Sequence, residues 1–494
     1  MGQPQHQEQQ QEPRTGSRRL QYAAAFSATL GYLSFGAFAG WAAPVLPRLI
    51  SNSSHIPTTE DEASWIVASS SLTMVFPMLF IGHLVDLLGR KRMLLYSAGP
   101  HLALWAIQIF ATQPWELIVS RVVGAISQCI IIVTSPCYLV EIAELEIRGT
   151  LVTLYQVMQN LGTLVVFCVA PYVHFRTLAG IMMAFPVLLV ATLSWMPESP
   201  TYLLLRGRYK EAQQSLKRLR GTRVFEDVEE EFEALRRSVE ERQSEPGAGD
   251  GYMATMRELV CDSVNRRTLL ISGILMPLLL WSGYLVLMTY ATVFFQRSGS
   301  SVDPDVSSIT LAVVQMVMSV VASLAVERFR TRRTPLMVCF AGAALALVAE
   351  GLYFYLLDVA QADVAAFSWV PLASHIVYLI CMTMGPGALI WTVCSEVFRP
   401  RVKGIAMSVL SIVNCGSAFA TLKTYHAMSI HFELYVPFWM FAIFCAFAVF
   451  YVWRFVPETK GRLAEEVALE IAGIKPGRTE DETATKEERE KIKV

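Results

Sequence analysis

The sequence predicts an all-α integral membrane protein of twelve transmembrane helices, arranged as two six-helix halves with a cytoplasmic helical linker. Three observations predict this fold class: long apolar blocks, charged residues confined to the segments between them, and an internal repeat. Of the 494 residues, 53% are hydrophobic and only 17% are charged, whereas soluble domains carry about 25% charged residues. A soluble chain of this length would form several domains with charged surfaces.

The apolar blocks are each about 20 residues long, which lets a helix cross a hydrocarbon core of about 30 Å. We number the predicted spans 1 to 12 in chain order. They cover residues 20–44, 63–86, 93–112, 116–139, 151–171, 177–196, 268–292, 305–326, 334–356, 368–393, 402–424 and 433–455.

Polar segments between the blocks predict the domain boundaries. A disordered cytoplasmic leader (1–19) precedes the N-terminal half (20–200), a helical linker (201–262) precedes the C-terminal half (263–456), and a tail (457–494) follows. Charges in the linker are spaced for i,i+4 pairing, which predicts short solvated helices rather than a catalytic domain. Residues 244–251, with the sequence SEPGAGDG, predict a break within the linker.

The distribution of Lys and Arg predicts the orientation. Basic residues are concentrated in the loops after spans 2, 4, 6, 8 and 10, and such loops face the cytoplasm. Both termini and the linker are therefore expected to be cytoplasmic. The sequon Asn52-Ser53-Ser54 lies in a loop on the opposite side, where Asn52 is a candidate glycosylation site.

Three matched motifs indicate the internal repeat. GHLVDLLGRKR at 82–92 corresponds to VERFRTRR at 326–333, Glu141 precedes Gly149 as Glu396 precedes Gly404, and PESP at 197–200 corresponds to PETK at 457–460. Copies about 250 residues apart predict two halves related by an axis along the membrane normal. A binding cavity is then expected at the middle of the membrane, between the halves.

The same sequence argues against several other classes of function. The nine cysteines are scattered singly, without the spacing of a metal site or a disulfide framework. A net charge of -1 gives no sign of a nucleic-acid partner. We find no nucleophile–base set and no phosphate-binding loop, so we expect neither an enzyme nor a cofactor.

The motifs resemble those of the sugar-porter branch of the major facilitator superfamily. The resemblance covers about residues 20 to 470, and Lys423-Thr424-Tyr425 in span 11 is similar to the insect facilitated trehalose transporters within that family. It rests on Gly82-xxx-Asp86-xx-Gly89-Arg90, Arg121, Pro136 to Glu141 with Arg148-Gly149, PESP at 197–200 and PETKG at 457–461. It implies facilitative transport of a sugar by a monomer embedded in plasma-membrane lipid.

The resemblance also implies which residues gate the transporter. We expect a set of charged residues to form ion pairs between the halves when the cytoplasmic side is closed, and to separate when it opens. The set comprises Asp86, Arg90, Arg121, Glu141, Arg148, Glu327, Glu396 and Arg401. The alternative is that these charges set topology and solvate the loop ends.

Polar side chains inside the membrane mark the expected substrate site. Gln156 in span 5, Gln315 in span 8 and Asn414 in span 11 match the amides through which the family contacts sugar. An amide both donates and accepts hydrogen bonds, as hydroxyl groups require. Trp391 follows Gly385-Pro386-Gly387, a predicted break in span 10, and matches the aromatic residue that packs on the sugar ring. For Glu350 in span 9, the sequence favours a structural role at least as much as a role in coupling.

Span 7 departs from the family pattern. Leu279, Leu280 and Leu285 stand where sugar porters carry amides, and each hydrogen bond lost to a sugar costs about 1–3 kcal/mol. Either Thr289, Tyr290 or Tyr284 compensates, in which case Tyr290 joins the substrate site, or the substrate carries fewer hydroxyl groups than glucose or trehalose.

Span 1 bears on energy coupling. Residues 20–44 contain no Asp or Glu, whereas sugar–proton symporters of the family typically carry a carboxylate there, so the resemblance implies facilitated diffusion. Two alternatives remain: a carrier for a less polar metabolite, and a non-transporting sugar sensor.

Overall fold

The computed structural model describes residues 17–51, 55–222, 224–244, 252–299, 302–326, 328–462 and 464–471. Within these residues, twelve helices are long and apolar enough to cross a membrane, which confirms the predicted fold class. In chain order they are Arg19–Ile50, Glu60–Leu88, Arg90–Phe110, Pro114–Ile142, Glu146–Tyr172, Phe175–Leu193, Ser263–Thr289, Pro304–Val326, Arg333–Asp358, Val370–Val397, Arg401–His431 and Tyr435–Phe455.

Between spans 6 and 7 the chain forms four helices: Pro200–Leu205, Tyr209–Arg220, Glu229–Ser244 and Tyr252–Cys261. The first three share a small apolar core that includes Tyr202, Leu216 and Phe232. We call the side of the protein that carries these helices the linker side, and the opposite side the far side. The predicted break lies almost wholly outside the described residues.

The packing follows the internal repeat. Within the halves, spans 1 and 5, 3 and 4, and 9 and 12 pack closely. Between the halves, span 2 packs on span 11, and span 5 packs on span 8. A shift of six spans exchanges these two inter-half contacts, as expected for two copies of one unit.

Two of the spans in the second half are interrupted. Span 10 contains a π-helical turn at Thr383–Gly387, where the sequence predicted a break. Span 7 is interrupted at Gly283, whose φ of 94° lies in the left-handed region, and continues as Tyr284–Thr289 and Ala291–Arg297. Such interruptions are tolerated within membranes where the freed backbone is covered by protein. At the break in span 7, the carbonyl oxygen of Ser282 accepts a hydrogen bond from the hydroxyl of Tyr378 at 3.1 Å.

Spans 1 and 5 approach each other at two glycines. A Cβ on Gly36 would stand 1.7 Å from the carbonyl oxygen of Gln159, and one on Gly162 would stand 2.0 Å from that of Leu33. Small residues permit this close backbone contact between membrane helices. By contrast, a Cβ on Gly82, in the repeated motif, would meet nothing within 4 Å.

Candidate substrate site and gates

Three amides lie near the middle of their spans. Gln156, Gln315 and Asn414 belong to spans 5, 8 and 11, which bring both halves to the centre of the molecule. Among the described residues, no hydrogen bond joins these amides to one another. Gln315 is buried, and its Nε2 donates to the hydroxyl of Tyr284 at 2.9 Å. The oxygens Oε1 of Gln315 and Oδ1 of Asn414 are buried without a hydrogen-bond partner.

The two aromatic residues predicted for the site, Trp391 and Tyr290, both lie in the second half but at different depths, with Tyr290 toward the far side. Trp391 is half-buried one turn after the π-helical segment of span 10. Tyr290 is buried in the interruption of span 7 and packs on Tyr425 at 4.8 Å between ring centroids. Tyr284 brings a hydroxyl group to Gln315 in a stretch of span 7 that is otherwise rich in leucine. Leu279 and Leu280, in the same stretch, are buried.

One polar residue of span 5 was missed by the sequence reasoning. Asn160, one turn after Gln156, is buried, and its Nδ2 has no hydrogen-bond partner. Its spacing of four residues from Gln156 was the available signal, because residues four apart share a helix face.

The charged motifs on the linker side form two equivalent clusters. In the first half, Arg90 binds Asp86 at 2.9 Å and Glu141 at 3.0 Å, and the hydroxyl of Ser199 donates to Glu141. In the second half, Arg332 binds Glu396 at 3.4 Å. There the Thr459 hydroxyl donates to Glu396 at 2.5 Å.

The acidic residues of the PES and PET motifs also occupy equivalent places. Glu198 accepts a hydrogen bond from the backbone N–H of Lys91, and Glu458 accepts one from that of Arg332. Partial burial disfavours the charged carboxylate of Glu458, but backbone N–H donors outweigh this and lower its pKa. The repeat is therefore preserved in three dimensions.

Among the described residues, the ion pairs of these two clusters lie within each half. The pairs between the halves were expected only for the state in which the linker side is closed, and they stay a prediction. Arg332 takes the place equivalent to Arg90, although the sequence reasoning did not single it out from the neighbouring arginines. Arg401 binds Glu258 of the linker helix Tyr252–Cys261 at 3.1 Å. Arg148 keeps a buried Nε without a partner. Glu327 and Asn52 lie outside the described residues.

Arg121 is separate from both clusters, toward the far side of span 4. Its guanidinium donates to the carbonyl oxygen of Phe38 at 2.6 Å and lies 3.7 Å from the centroid of the Phe38 ring. It is buried, and within the described part of the chain it has no carboxylate partner. The carbonyl and the cation–π contact supply its stabilisation instead.

The two halves are joined on the far side. Asp61 of span 2 lies 3.7 Å from Lys423 Nζ and 3.4 Å from His426 Nε2, both on span 11. Lys423 also lies 3.8 Å from the centroid of the Trp65 ring, and Trp65 packs on Phe419. We call these five residues the far-side latch.

A second contact reinforces the closure. Arg48 at the end of span 1 lies 3.8 Å from Asp305 at the start of span 8. Between the described residues of the two halves, the ion pairs are thus confined to the far side. The structure is therefore closed on the far side. The ion pairs of the two linker-side clusters join residues of the same half.

The comparisons with known proteins agree with this geometry. The family described as "Sugar (and other) transporter" matches residues 14–470. The facilitated trehalose transporter Tret1 of Apis mellifera ligustica is 30% identical over 455 residues, which cover 92% of this chain and 88% of that protein. Tret1 of Bombyx mori is 28% identical over 451 residues, covering 91% and 86%.

Solved structures share the fold. The inward-open xylose transporter XylE from E. coli superposes with a TM-score of 0.73 at 20% identity, covering 90% of this chain and 99% of that one. XylE bound to 6-bromo-6-deoxy-D-glucose gives 0.71 at 21% identity, covering 91% and 98%. The family match extends over nearly the whole chain and includes both repeated clusters, so the chain belongs to the sugar porter family of the major facilitator superfamily.

Proposed function

We propose that the protein carries a sugar of the trehalose or hexose class by facilitated diffusion, through alternating access to a central site. One observation carries the proposal: Gln315 and Asn414 each keep a buried amide oxygen without a partner near the membrane centre. An unsatisfied buried acceptor costs about 1–3 kcal/mol, so a ligand with hydroxyl donors is stabilised there. Gln156 lies at a similar depth in the first half. Trp391 supplies aromatic surface to the proposed site, and Tyr290 borders it toward the far side.

The passive mode is supported by the environment of Arg121. Span 1 carries no carboxylate in its described apolar part, and Arg121 is held by the Phe38 carbonyl and ring. No acid of span 1 is therefore available to exchange a proton with each sugar.

Trehalose is the first substrate to test, because the relatives named above are facilitated trehalose transporters. The second candidate is a less hydroxylated solute. It is favoured by Leu279 and Leu280, which are buried where the family carries amides.

We further propose that the linker side is cytoplasmic, that the carrier is a plasma-membrane monomer surrounded by lipid, and that Asn52 is glycosylated on the far side. The linker-side charges then act as the inner gate. Arg90, Glu141, Arg148, Glu396 and Arg401 exchange partners across the halves when that side closes, and Asp86 and Glu327 belong to the same proposed set. Arg121 was expected in this set, but it lies toward the far side, where it is held by the Phe38 carbonyl and ring.

The test is uptake into proteoliposomes of purified protein, with labelled trehalose, glucose, fructose and a polyol. Gln156→Ala and Trp391→Ala are each expected to lower uptake about ten-fold, which corresponds to roughly 1.4 kcal/mol of lost binding. Gln214→Ala, at an exposed position in a linker helix, is the control. Unchanged uptake in both cavity variants would reject the site, and accumulation that a protonophore abolishes would reject the passive mode.

The two substrate classes are separated by the triple variant Leu279→Gln/Leu280→Gln/Leu285→Asn. If the native protein moves no sugar and only the variant gains sugar uptake, the less hydroxylated solute is the substrate. Sugar uptake by the native chain supports the first candidate.

A further inference from the structure

Glu350 and His375 form an ionisable pair inside the second half. Nδ1 of His375 lies 3.1 Å from Oε1 of Glu350, and both side chains are 0% exposed. Of the ion pairs in the described part of the chain, this is the one in which both partners are completely buried. The remaining atoms, Oε2 of Glu350 and Nε2 of His375, have no hydrogen-bond partner.

The pair lies toward the far side. Glu350 precedes the end of span 9 at Asp358 by eight residues, and His375 follows the start of span 10 at Val370 by five. At about 1.5 Å per residue, these positions are about 12 Å and about 8 Å from the far-side helix ends. A proton therefore has a shorter path from the far side than from the linker side.

The pair supports the far-side segment of span 7, Ala291–Arg297. The ring of Phe295 packs on His375 at 5.7 Å between centroids. Tyr353, one turn beyond Glu350, donates its hydroxyl to the carbonyl oxygen of Ser298 at the end of that segment, at 2.9 Å. Residues of spans 9 and 10 thus contact the segment from within the second half, and span 1 contacts it from the first half.

The surroundings contain few other titratable groups. Tyr378 of span 10 stacks edge-on against His375 at 6.0 Å and interacts electrostatically with Glu350. Tyr284 of span 7 and Cys445 of span 12 face Tyr378 in turn, and Tyr353 lies on span 9. Among the described residues, no Lys, Arg or second carboxylate pairs with Glu350 or His375.

An ion pair buried in a membrane is costly, and an apolar pair of similar volume is as stable or more so. The presence of an ionisable pair at this position therefore favours a functional role. We propose that Glu350 and His375 form a proton-binding site that controls how firmly the segment Ala291–Arg297 docks.

The protonation step is simple. With one shared proton the pair is neutral overall. Uptake of a second proton from far-side water leaves a neutral carboxyl group beside an imidazolium, with no carboxylate to balance the charge. An unbalanced buried cation disfavours the docked segment, so acid on the far side shifts the protein toward its far-side-open form. The proton changes the population of states and does not travel with the substrate.

The test that does not depend on transport is hydrogen–deuterium exchange of residues 291–297 in lipid nanodiscs, corrected for the intrinsic pH dependence. Between pH of about 8 and about 5.5, protection is expected to fall about ten-fold. The apolar variant Glu350→Leu/His375→Phe is expected to abolish this change. Glu350→Gln/His375→Gln keeps polar side chains of similar size without a titratable group, and it serves if the apolar variant fails to fold.

Two histidines provide controls. His101 is equally buried in the first half, but both ring nitrogens are bonded, to Ser127 and Gln128, so His101→Gln should keep the response. His426→Gln tests the far-side latch. Equal protection of the native protein at both pH values would overturn the proposal. So would a response that survives in Glu350→Leu/His375→Phe or Glu350→Gln/His375→Gln, or one that His426→Gln removes.

Transport gives a second readout, which rests on the proposed function. At far-side pH of about 5.5, a larger far-side-open population should lower the apparent KM for far-side sugar about three-fold, with no effect of linker-side pH. Sugar uptake with a pH-independent KM would reject this inference and leave the proposed function intact. If the protein takes up no sugar but the hydrogen–deuterium exchange of residues 291–297 depends on pH, the proposed function is rejected and this inference stands.

Discussion

At the scale of single residues, the closest constraint is the crossing of spans 1 and 5. The atoms that an added Cβ would meet at Gly162 and Gly36 are backbone oxygens, which cannot rotate away as a side chain can. A larger residue there must therefore separate two helices of the same half. Position in a repeated motif carries no such constraint, since Gly82 has open space around it.

We therefore predict that Gly162→Ala destabilises the folded protein and that Gly82→Ala, its control, does not. The new methyl group would lie 2.0 Å from the oxygen of Leu33, and overpacking of this kind costs about 1–3 kcal/mol or more. Thermal unfolding in detergent, followed by intrinsic fluorescence, should show a melting temperature several degrees lower for Gly162→Ala alone. Equal melting of both variants would mean that the helices separate freely.

The sequence predicted those site residues whose role follows from the pattern of residues next to them in the chain. Gln156, Gln315 and Asn414 could be predicted because their spacing from neighbouring motif residues matches the family pattern, and that spacing lies within a short stretch of sequence. The role of Arg332 could not be predicted, since four arginines between 328 and 333 carry the same charge and only the fold selects one. The partner of Glu350 was hidden for a similar reason: His375 lies on a different helix, and sequence spacing does not report contacts between helices.

At the scale of elements, the interrupted span 7 is the part of the proposed substrate site that departs most from the family pattern. Its helix is broken at Gly283, and the next residue, Tyr284, places a hydroxyl on Gln315. The apolar block predicted the span but not the break, because Ser282-Gly283 adds no polarity to it. The hydrogen bond means that Gln315 must change partners before its amide nitrogen can bind a substrate.

We expect Tyr284→Phe to lower the KM for sugar and Gln315→Leu to raise it. Removing the hydroxyl frees the Gln315 amide from a bond of about 1 kcal/mol, which corresponds to about five-fold in affinity. Initial rates over a range of sugar concentrations separate KM from kcat. A higher KM in Tyr284→Phe would instead identify the tyrosine hydroxyl as a direct ligand of the sugar.

At the scale of the whole molecule, the two halves meet through spans 2 and 11 and through spans 5 and 8. In the part of the chain that the structure describes, the ion pairs across them lie on the far side, whereas the linker-side clusters are internal to each half. Internal pairing leaves the linker side free to open while each half remains rigid. Closure of the far side then depends on few residues, and the far-side latch is the largest group among them.

The latch predicts the effect of exchanging its charges. Asp61→Lys places a second cation opposite Lys423 and His426, which opposes far-side closure, a step that every transport cycle requires. For a partly exposed pair worth about 1 kcal/mol, maximal uptake should fall about five-fold. The exchange Asp61→Lys/Lys423→Asp restores opposite charges and should recover at least half of the uptake.

Glu60→Lys is the matched control for this exchange. Glu60 is the exposed neighbour of Asp61, and within the described residues it has no ion pair, so its reversal changes the same net charge without breaking an ion pair to span 11. If both reversals lower uptake equally, the effect is one of net charge at the far-side entrance. If only Asp61→Lys lowers uptake and the exchange restores it, closure of the far side depends on the attraction between spans 2 and 11.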